Sequence, residues 1–204
     1  MIRTLPVLPP QSTTDQPLTQ NQIAKHLTGR DYLSYSSIST YQRCPLRYYF
    51  AYVEGLVPEF KASTLIFGGA IHSAIELHFR NAFEGMAPPS INELLAEYDQ
   101  AWKADATTTV RFGKNETVES LRDLAARMLL AFQDSDVANM DGTPLSVEEQ
   151  FREAIIRGCP DLLGRIDLLM LTKKRVRIID FKTSRSSWSP AKVQEAAPQL
   201  LLYA

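Results

Sequence analysis

The sequence has few of the residues that build disulfide or zinc scaffolds. Its 204 residues include two cysteines, Cys44 and Cys159, and three histidines. Two cysteines are too few for a disulfide framework, and they form no zinc-finger spacing with the histidines. These absences exclude a disulfide-rich secreted module and a zinc finger, and they favour a reduced, intracellular setting.

Long hydrophobic runs and a strong excess of one charge are also missing. The apolar runs are much shorter than the roughly 20 residues that a membrane span needs. Prolines interrupt the first residues, MIRTLPVLPP, before a signal-peptide core could form. We therefore expect a soluble, cytoplasmic protein with no membrane partner. The net charge of −1 argues against a surface coated in basic residues for nucleic acid.

The composition predicts one globular domain behind a flexible tail. Hydrophobic residues make up 45% of the chain and charged residues 22%, as in ordinary globular proteins. Residues 1–30 hold four of the twelve prolines among threonines and glutamines, without sustained periodicity. This stretch is typical of a tail or linker, so the folded domain is expected over residues 31–204.

The spacing of apolar residues changes along the chain. Before residue 134 they recur at helical intervals, and from Leu145 they alternate with polar residues, as in strands. Helices are predicted from Ser36, from Pro45, across 71–85, after a capping box at Ser90, and across 117–133; strands at LSVEEQFR, LLGRIDLLML and VRIIDFKT; and a last helix from Pro190, which Pro198 should bend or split. The pattern predicts an α/β fold in which helices flank a small mixed sheet and the N-terminal half is helical.

Acidic residues and one lysine interrupt the apolar strands. Asp180 and Lys182 are two residues apart and face the same way in a strand, while Asp167 lies in the preceding strand. If the two strands pair antiparallel through the short turn TKKR, both aspartates converge beside Lys182. Glu149 shares its face of the first strand with the apolar Leu145 and is a further candidate for the same place.

A partly buried group of carboxylates is costly unless a cation neutralises it. Mg²⁺ and Mn²⁺ prefer oxygen ligands and fit that requirement. A neighbouring lysine can help to deprotonate water or stabilise charge on a phosphate. The combination indicates phosphodiester hydrolysis. A lone Asp-x-Lys pair is more often a surface ion pair, and Asp167 and Glu149 have Arg165 as an alternative partner.

Five sequence pieces together resemble a known nuclease family. GRID at 164–167, followed by DFK at 180–182, resembles the metal-binding core of the PD-(D/E)XK nuclease superfamily. GGAIHSAIE resembles the Gly-x-x-His helix of its RecB-like exonuclease branch, which includes the CRISPR-adaptation nucleases. QLLLY resembles the Gln-x-x-x-Tyr motif of that branch, and SYSSISTYQRCPLRYYF its N-terminal helix with a Cys-Pro step. The resemblance extends from about Ser34 to Tyr203 and implies a restriction-endonuclease-like core.

The resemblance also implies roles for individual residues. The metal ligands would be His72, Asp167, Asp180 and the backbone carbonyl of Phe181, with Lys182, Asp180 and Asp167 as the catalytic set. Gln199, Tyr203 and Glu149 would be accessory residues. Without the resemblance, a histidine at the edge of an apolar stripe is more often a core residue, and His72 would then pair with Glu76 one turn on.

The implied activity is that of a Mg²⁺- or Mn²⁺-dependent deoxyribonuclease, and an exonuclease rather than an endonuclease. It would act on single-stranded DNA or duplex ends in DNA repair, recombination, or the processing of CRISPR or phage DNA, in association with the nucleoid. A helicase or another protein is a further candidate partner. The alternatives are a catalytically inactive DNA-binding or assembly module on the same fold, and an RNA nuclease that uses the same site.

One departure from the family concerns an iron-sulfur cluster. Many members of the branch hold a cluster with one cysteine in the N-terminal helix, which Cys44 matches, and three cysteines beyond the Gln-x-x-x-Tyr motif. This sequence ends one residue after that motif, and Cys159 precedes the second core strand. Because such a cluster takes four thiolates, we expect none in this chain. Either it is a cluster-free member, or it is a fragment truncated at the C-terminus.

Basic residues are concentrated in the C-terminal half. From Leu145 to Lys192 there are ten basic and six acidic residues. A solvated face is one interpretation. In a nuclease, the basic residues at 173–177 and 185 would contact the DNA backbone, and Trp188 or Tyr48 could stack on a single strand. A core position is the alternative for Trp188.

Overall fold

The computed structural model describes residues 17–106, 109–184 and 187–203. Contacts between residues divide the chain into two compact units, a division that the composition did not indicate. The first unit consists of Met1–Val57 and Gln150–Gly164, and the second consists of Pro58–Glu149 and Arg165–Ala204.

The first unit begins with a helix that the sequence did not predict. It contains α1 (Gln20–Thr28), β1 (Tyr32–Ser34), α2 (Tyr35–Arg43), α3 (Pro45–Tyr48) and a π-helix at Tyr49–Val53. Thr19 and Gln22 form a capping box at the start of α1, and Gly29, with φ 72°, ends it. The predicted flexible tail over residues 1–30 is therefore wrong at Gln20–Thr28, because its polar residues serve as helix caps. Residues 1–16 of that prediction lie outside the described residues.

Cys44 has a structural role between two helices of this unit. It ends α2, and its Sγ accepts a hydrogen bond from the Arg47 backbone N–H at 3.4 Å. Pro45 is the first residue of α3, as predicted, because a proline at that position lacks only an N–H that would be unpaired anyway. Ser34 caps α2, which confirms the predicted serine cap.

Helices form most of the second unit. It contains β2 (Phe60–Ala62), α4 (Ser63–Phe83), α5 (Ile91–Asp105), β3 (Thr109–Arg111), α6 (Val118–Gln133) and α7 (Pro190–Tyr203). The capping box of Ser90 and Glu93 begins α5 as predicted, and Thr117 caps α6. β2 and β3 pair in parallel. Like β1, they have three residues each, too few for an alternating pattern to be visible in sequence.

The main sheet is mixed, with β4 (Thr143–Glu153), β5 (Asp161–Leu171) and β6 (Val176–Ile179) in addition to β1. The order is β1-β5-β4, and β6 also pairs with β5. β1 runs parallel to β5, and β6 runs antiparallel to β5, with Leu168 opposite Ile179 and Leu171 opposite Val176. A small mixed sheet flanked by helices confirms the expected α/β class and is consistent with a restriction-endonuclease-like core. The third predicted strand, 176–183, ends at Ile179, so Asp180 lies just beyond the ladder.

Alternate residues of β5 enter the core of the second unit. Leu168 and Met170 are 0% and 2% exposed, whereas Leu171 at the end of the strand is exposed. They pack with the apolar faces of the helices, which contribute Ile66, Phe67, Ala70, Ile71, Ala74, Ile75, Phe79, Leu94, Tyr98, Trp102, Leu121, Ala125 and Leu129. The strand that carries Asp167 is thereby held against α4, α5 and α6.

The C-terminal helix differs from these helices. α7 has no buried residue along its described length, Pro190–Tyr203. Pro198 lies inside it, and the helix is continuous, so the predicted split does not occur. In the part of the chain that the structure describes, no helix combines the length and apolar character needed to cross a membrane.

Neighbouring leucines on α6 test the packing of the second unit. Leu129 is 0% exposed and Leu130 is 49% exposed. We expect Leu129→Ala to lower the free energy of unfolding by about 2–5 kcal/mol, because it leaves a cavity. Leu130→Ala should change it by about 0.5 kcal/mol or less. Urea denaturation of both variants measures the difference, and equal losses would contradict this orientation of α6.

Candidate metal centre

The middle of α4 supplies the first residue of the centre. Ile71 and Ile75 of this helix are buried in the core, which turns His72 toward a cleft on the other side. Residues four apart lie on the same face of a helix, so Gly68 and Glu76 flank His72 there. Glu76 forms an ion pair with Arg80 rather than the pair with His72 considered from the sequence.

Gly68 allows another segment to approach α4 closely. A Cβ at this position would lie 3.0 Å from the Thr183 Oγ1, whereas a Cβ at Gly69 would lie 3.8 Å from its nearest neighbour, Asp105. The first distance is tighter than ordinary contact and the second is not. A side chain at position 68 would therefore displace Thr183, the residue after Lys182.

Asp167 is held by the segment that follows β6. Its Oδ2 accepts a hydrogen bond of 2.6 Å from the Phe181 backbone N–H. The Phe181 ring stacks on Phe79 at 5.7 Å between centroids and lies edge-on to His72 at 6.4 Å. Phe181 thus faces the core, as the alternation predicted. Its N–H fixes the carboxylate of Asp167 on the neighbouring strand β5.

Asp180 and Lys182 lie on the other side of this segment from the Phe181 ring. The Lys182 Nζ is 2.8 Å from one carboxylate oxygen of Asp180 and 2.9 Å from the other. The Asp180 side chain is 10% exposed, and that of Lys182 is 37% exposed. The two residues project together, as predicted, and Asp180 keeps the lysine head at the rim of the cleft.

β4 contributes Glu148, which the sequence analysis missed. Glu148 has φ 54°, in the left-handed region that a glutamate rarely adopts. This conformation interrupts the alternation of β4 at the point where Glu148 is partly buried and its neighbour Glu149 is exposed. The Glu148 carboxylate lies 2.8 Å from the Arg165 Nε. The alternation that placed Glu149 on the apolar face of this strand is therefore wrong.

His72, Glu148 and Asp167 come together at one place. One ligand atom from each lies within 4.8 Å of those of the other two, and the His72 Nδ1 is 3.7 Å from the Asp167 Oδ2. His72, Glu148, Arg165 and Lys182 line a cleft of about 850 Å³ between α4, α5 and the strand ends. The cleft is open to solvent and large enough for a nucleotide.

Burial shifts the pKa of each residue in this group toward its neutral form. It lowers the pKa of His72, against the attraction of Asp167. It raises the pKa of Asp167, although the Phe181 N–H and His72 act in the opposite direction. Burial also raises the pKa of Glu148, against the effect of Arg165. These shifts are expected when anionic groups lose water without gaining a sufficient counter-charge.

The donor set fits a divalent cation. Burial lowers the pKa of His72 and so disfavours an ion pair with Asp167, and the 3.7 Å between the His72 Nδ1 and the Asp167 Oδ2 is too long for a hydrogen bond. An imidazole nitrogen and two carboxylates facing one another in a partly buried place are suitable ligands for a metal ion. A cation there would offset the desolvation of both carboxylates.

The other residues predicted for the site lie elsewhere or form other contacts. Glu149 is exposed outside the group, and Gln199 and Tyr203 of α7 are absent from the described residues that line the cleft. Asp180 lies close enough for its charge to act on His72 and Asp167, and its side chain pairs with Lys182. His78 is buried, and its Nε2 lies 3.1 Å from the Ala138 carbonyl oxygen. Arg185 lies outside the described residues, and Trp188 is exposed, which excludes the core position.

The raised pKa of Asp167 predicts a pH-dependent effect of Asp167→Asn, which retains an acceptor for the Phe181 N–H. The carboxyl contributes fully to stability below its ordinary pKa of 3.8, and this contribution is lost as the pH rises through its folded-state pKa. In EDTA, we expect the variant to gain free energy of unfolding relative to the parent as the pH rises above the ordinary pKa of 3.8. Urea denaturation measures this difference, and a difference that does not change with pH would contradict the burial.

Adding Mn²⁺ near neutral pH should reverse the order of stability. The parent should gain about 2.7 kcal/mol at a metal concentration one hundred times its Kd, and Asp167→Asn should gain much less. An equal gain by both proteins would place metal binding elsewhere.

Comparison with known families agrees with this geometry. A search of curated proteins finds no significant match. The family model of the PD-(D/E)XK nuclease superfamily matches residues 32–204, which include His72, Glu148, Asp167, Asp180 and Lys182. Members of this superfamily are nucleases that use divalent metals, and the group of His72 and two carboxylates provides suitable ligands. The chain therefore belongs to the PD-(D/E)XK nuclease superfamily.

Proposed function

We propose that the protein is a metal-dependent deoxyribonuclease of the RecB-like exonuclease branch, which hydrolyses phosphodiester bonds of DNA. One observation carries the proposal: His72, Glu148 and Asp167 meet beside the Lys182–Asp180 ion pair at one open cleft. A purely structural ion pair would not require three further metal-ligating groups next to it. DNA repair, recombination, or the processing of CRISPR or phage DNA is the setting we infer from the family resemblance.

The ligand roles follow from the donor atoms. In the proposal His72, Glu148 and Asp167 hold the metal ion, with Asp180 and the Phe181 carbonyl as further ligands. Mg²⁺ or Mn²⁺ suits the two or three carboxylates among them. When bound, such an ion supplies Lewis-acid polarisation of the phosphodiester and activation of water.

The remaining groups act on the substrate directly. Lys182 is positioned to donate hydrogen bonds to a phosphate oxygen and to stabilise the negative charge that increases in the transition state. Asp180 orients the Lys182 ammonium through the ion pair at 2.8 Å. Arg165, whose side chain is 69% exposed, can contact a neighbouring phosphate from the same cleft while it orients Glu148.

The order of motifs along the chain supports the exonuclease branch. The Gly-x-x-His helix precedes GRID and DFK, and QLLLY follows them.

An exonuclease requires an end, so linear single-stranded DNA should be degraded while a circular form of the same sequence stays intact. Cleavage of both forms would favour an endonuclease. A helicase or other protein partner stays a prediction.

Lys182→Ala tests the catalytic role of the lysine. We expect it to lower the rate of hydrolysis of labelled single- and double-stranded DNA by about 10²-fold or more with either Mg²⁺ or Mn²⁺. Lys114→Ala, an exposed lysine outside the cleft, is the control and should retain the parental rate. Equal cleavage by Lys182→Ala and the parent would place the activity elsewhere. DNA binding by the parent without hydrolysis would favour the inactive module.

Adjacent glutamates provide a second, matched test. Glu148→Gln keeps the size of the side chain and an acceptor for Arg165 but removes one charged metal ligand. We expect it to weaken Mn²⁺ affinity and DNA hydrolysis by more than about tenfold, whereas Glu149→Gln should leave both unchanged. Isothermal titration with Mn²⁺ and a nuclease assay measure the two effects. A larger loss in Glu149→Gln would restore the assignment that strand alternation had suggested.

A further inference from the structure

A cluster of basic side chains lies at the turn between β5 and β6. Thr172 closes this turn, since its N–H and its Oγ1 each donate a hydrogen bond to the Arg175 carbonyl oxygen at 2.9 Å. The Thr172 Oγ1 also accepts a hydrogen bond from the Arg175 N–H. The backbone of the turn is therefore fixed while its side chains remain in solvent. The basic turn cluster consists of Lys173, Lys174, Arg175 and Arg177.

The basic turn cluster lines an open concavity with a glycine-built wall. The wall is the segment from Asp141 to Thr143. Gly142 has φ 143°, and a Cβ there would lie 2.7 Å from the Leu171 carbonyl oxygen, so only glycine permits this close approach. Asp141 is the one acidic residue among the described residues that line the concavity.

The side chains of these four cations have no ion-pair partner in the described part of the chain. All four are exposed. Several like charges on a short turn repel one another, which costs stability. Arg165 and Arg152, by contrast, both have carboxylate partners. An uncompensated cluster of this kind fits an anionic partner.

The pairing of β5 with β6 relates this cluster to the metal centre. Leu168 pairs with Ile179, and Leu171 pairs with Val176. Asp167 and Asp180 therefore lie at one end of the hairpin, and the basic turn cluster lies at the other. Five residues separate Asp167 from Thr172, which corresponds to about 17 Å along a strand. Each nucleotide of a duplex strand rises about 3.4 Å along the helix axis, so this distance corresponds to about five nucleotides of a duplex.

We propose that the basic turn cluster is a second DNA-binding site, which holds the phosphate backbone several nucleotides away from the bond that is hydrolysed. The assignment to DNA rests on the proposed nuclease function. The separation places these cations beyond the metal centre, so they affect substrate affinity and not the chemical step. The two arginines and two lysines bind phosphates in different geometries, and this tolerance suits recognition that is independent of sequence.

The binding experiment removes charge from the turn alone. The triple variant Lys173→Gln, Lys174→Gln and Arg175→Gln keeps the backbone hydrogen bonds of Thr172. Its matched control, Lys103→Gln, Lys114→Gln and Arg127→Gln, removes three exposed cations from α5, α6 and the segment between them. Both sets are made in a Lys182→Ala background so that the DNA stays intact. Fluorescence anisotropy with a single-stranded oligothymidine of about 30 nucleotides measures Kd across a salt series.

Counterion release sets the expected result. Each lost contact with a single-stranded phosphate lowers the slope of log K against log salt by about 0.7. We expect the turn variant to lower the slope by about 2 and to weaken binding about 10- to 50-fold near 0.15 M salt. The matched control should retain the parental slope. An unchanged slope in the turn variant, or an equal loss in the control, would overturn the proposal.

A second measurement separates this site from the metal centre. With Lys182 intact and Mn²⁺ present, the turn variant should hydrolyse bis(p-nitrophenyl) phosphate at the parental rate, because this substrate is too small to reach both sites. On the oligothymidine its KM should rise while kcat is retained. Equal losses on both substrates would overturn the proposal. If the parent hydrolysed neither substrate, the nuclease function would fail, whereas the binding experiment would still decide whether the turn binds DNA.

Discussion

The hydrogen bond from the Phe181 backbone N–H to the Asp167 carboxylate is the constraint on which the rest of the site depends. Phe181 is anchored because its ring stacks on Phe79 within the core. That anchoring fixes the direction of the backbone on either side, so Asp180 and Lys182 are turned away from the core and toward the cleft. The apolar core of the second unit is therefore what gives the polar centre its geometry. A change that loosened Phe181 would affect Asp167, Asp180 and Lys182 together, although none of them packs in the core.

Burial makes the group of His72, Glu148 and Asp167 electrostatically costly and so a suitable place for a cation. The two carboxylates of Glu148 and Asp167 lose water, which raises their pKa values, and His72 is kept neutral by the same cause. Each shift favours the uncharged form when no cation is bound, yet metal binding requires the carboxylates to be ionised. In the proposed centre, folding and metal binding would therefore be linked, since a bound cation would compensate an electrostatic cost that the fold itself imposes. The Asp180–Lys182 pair does not provide this compensation, because its two opposite charges largely offset each other.

The sequence predicted those parts of the site that depend on regular structure. Antiparallel pairing of two strands through a short turn brought Asp167 and Asp180 to one end of the hairpin, and the i, i+2 rule placed Lys182 beside Asp180. Glu148 was missed because a period of two assumes that every residue is extended, and a single residue at φ 54° exchanges the sides of its neighbours. Arg165 on β5 is the ion-pair partner of Glu148, and it was the one signal in the sequence for a carboxylate at this place. The same alternation assigned Arg165 to Glu149 instead.

α1 was missed for a different reason: composition cannot distinguish polar residues in a tail from polar residues that cap a helix.

The glycines of GGAIHSAIE show how a short motif can combine two geometric requirements. Gly68 lies one helical turn before His72, so both face the cleft. The absence of a side chain at Gly68 leaves room for the Thr183 hydroxyl against α4. One turn later, His72 reaches Asp167 from the same face. The helix thus supplies the candidate ligand nitrogen of His72 and a site of close approach at a spacing fixed by its own pitch. Gly69 has ordinary space around it, so within this pair the tighter fit is at Gly68, next to the threonine that follows Lys182.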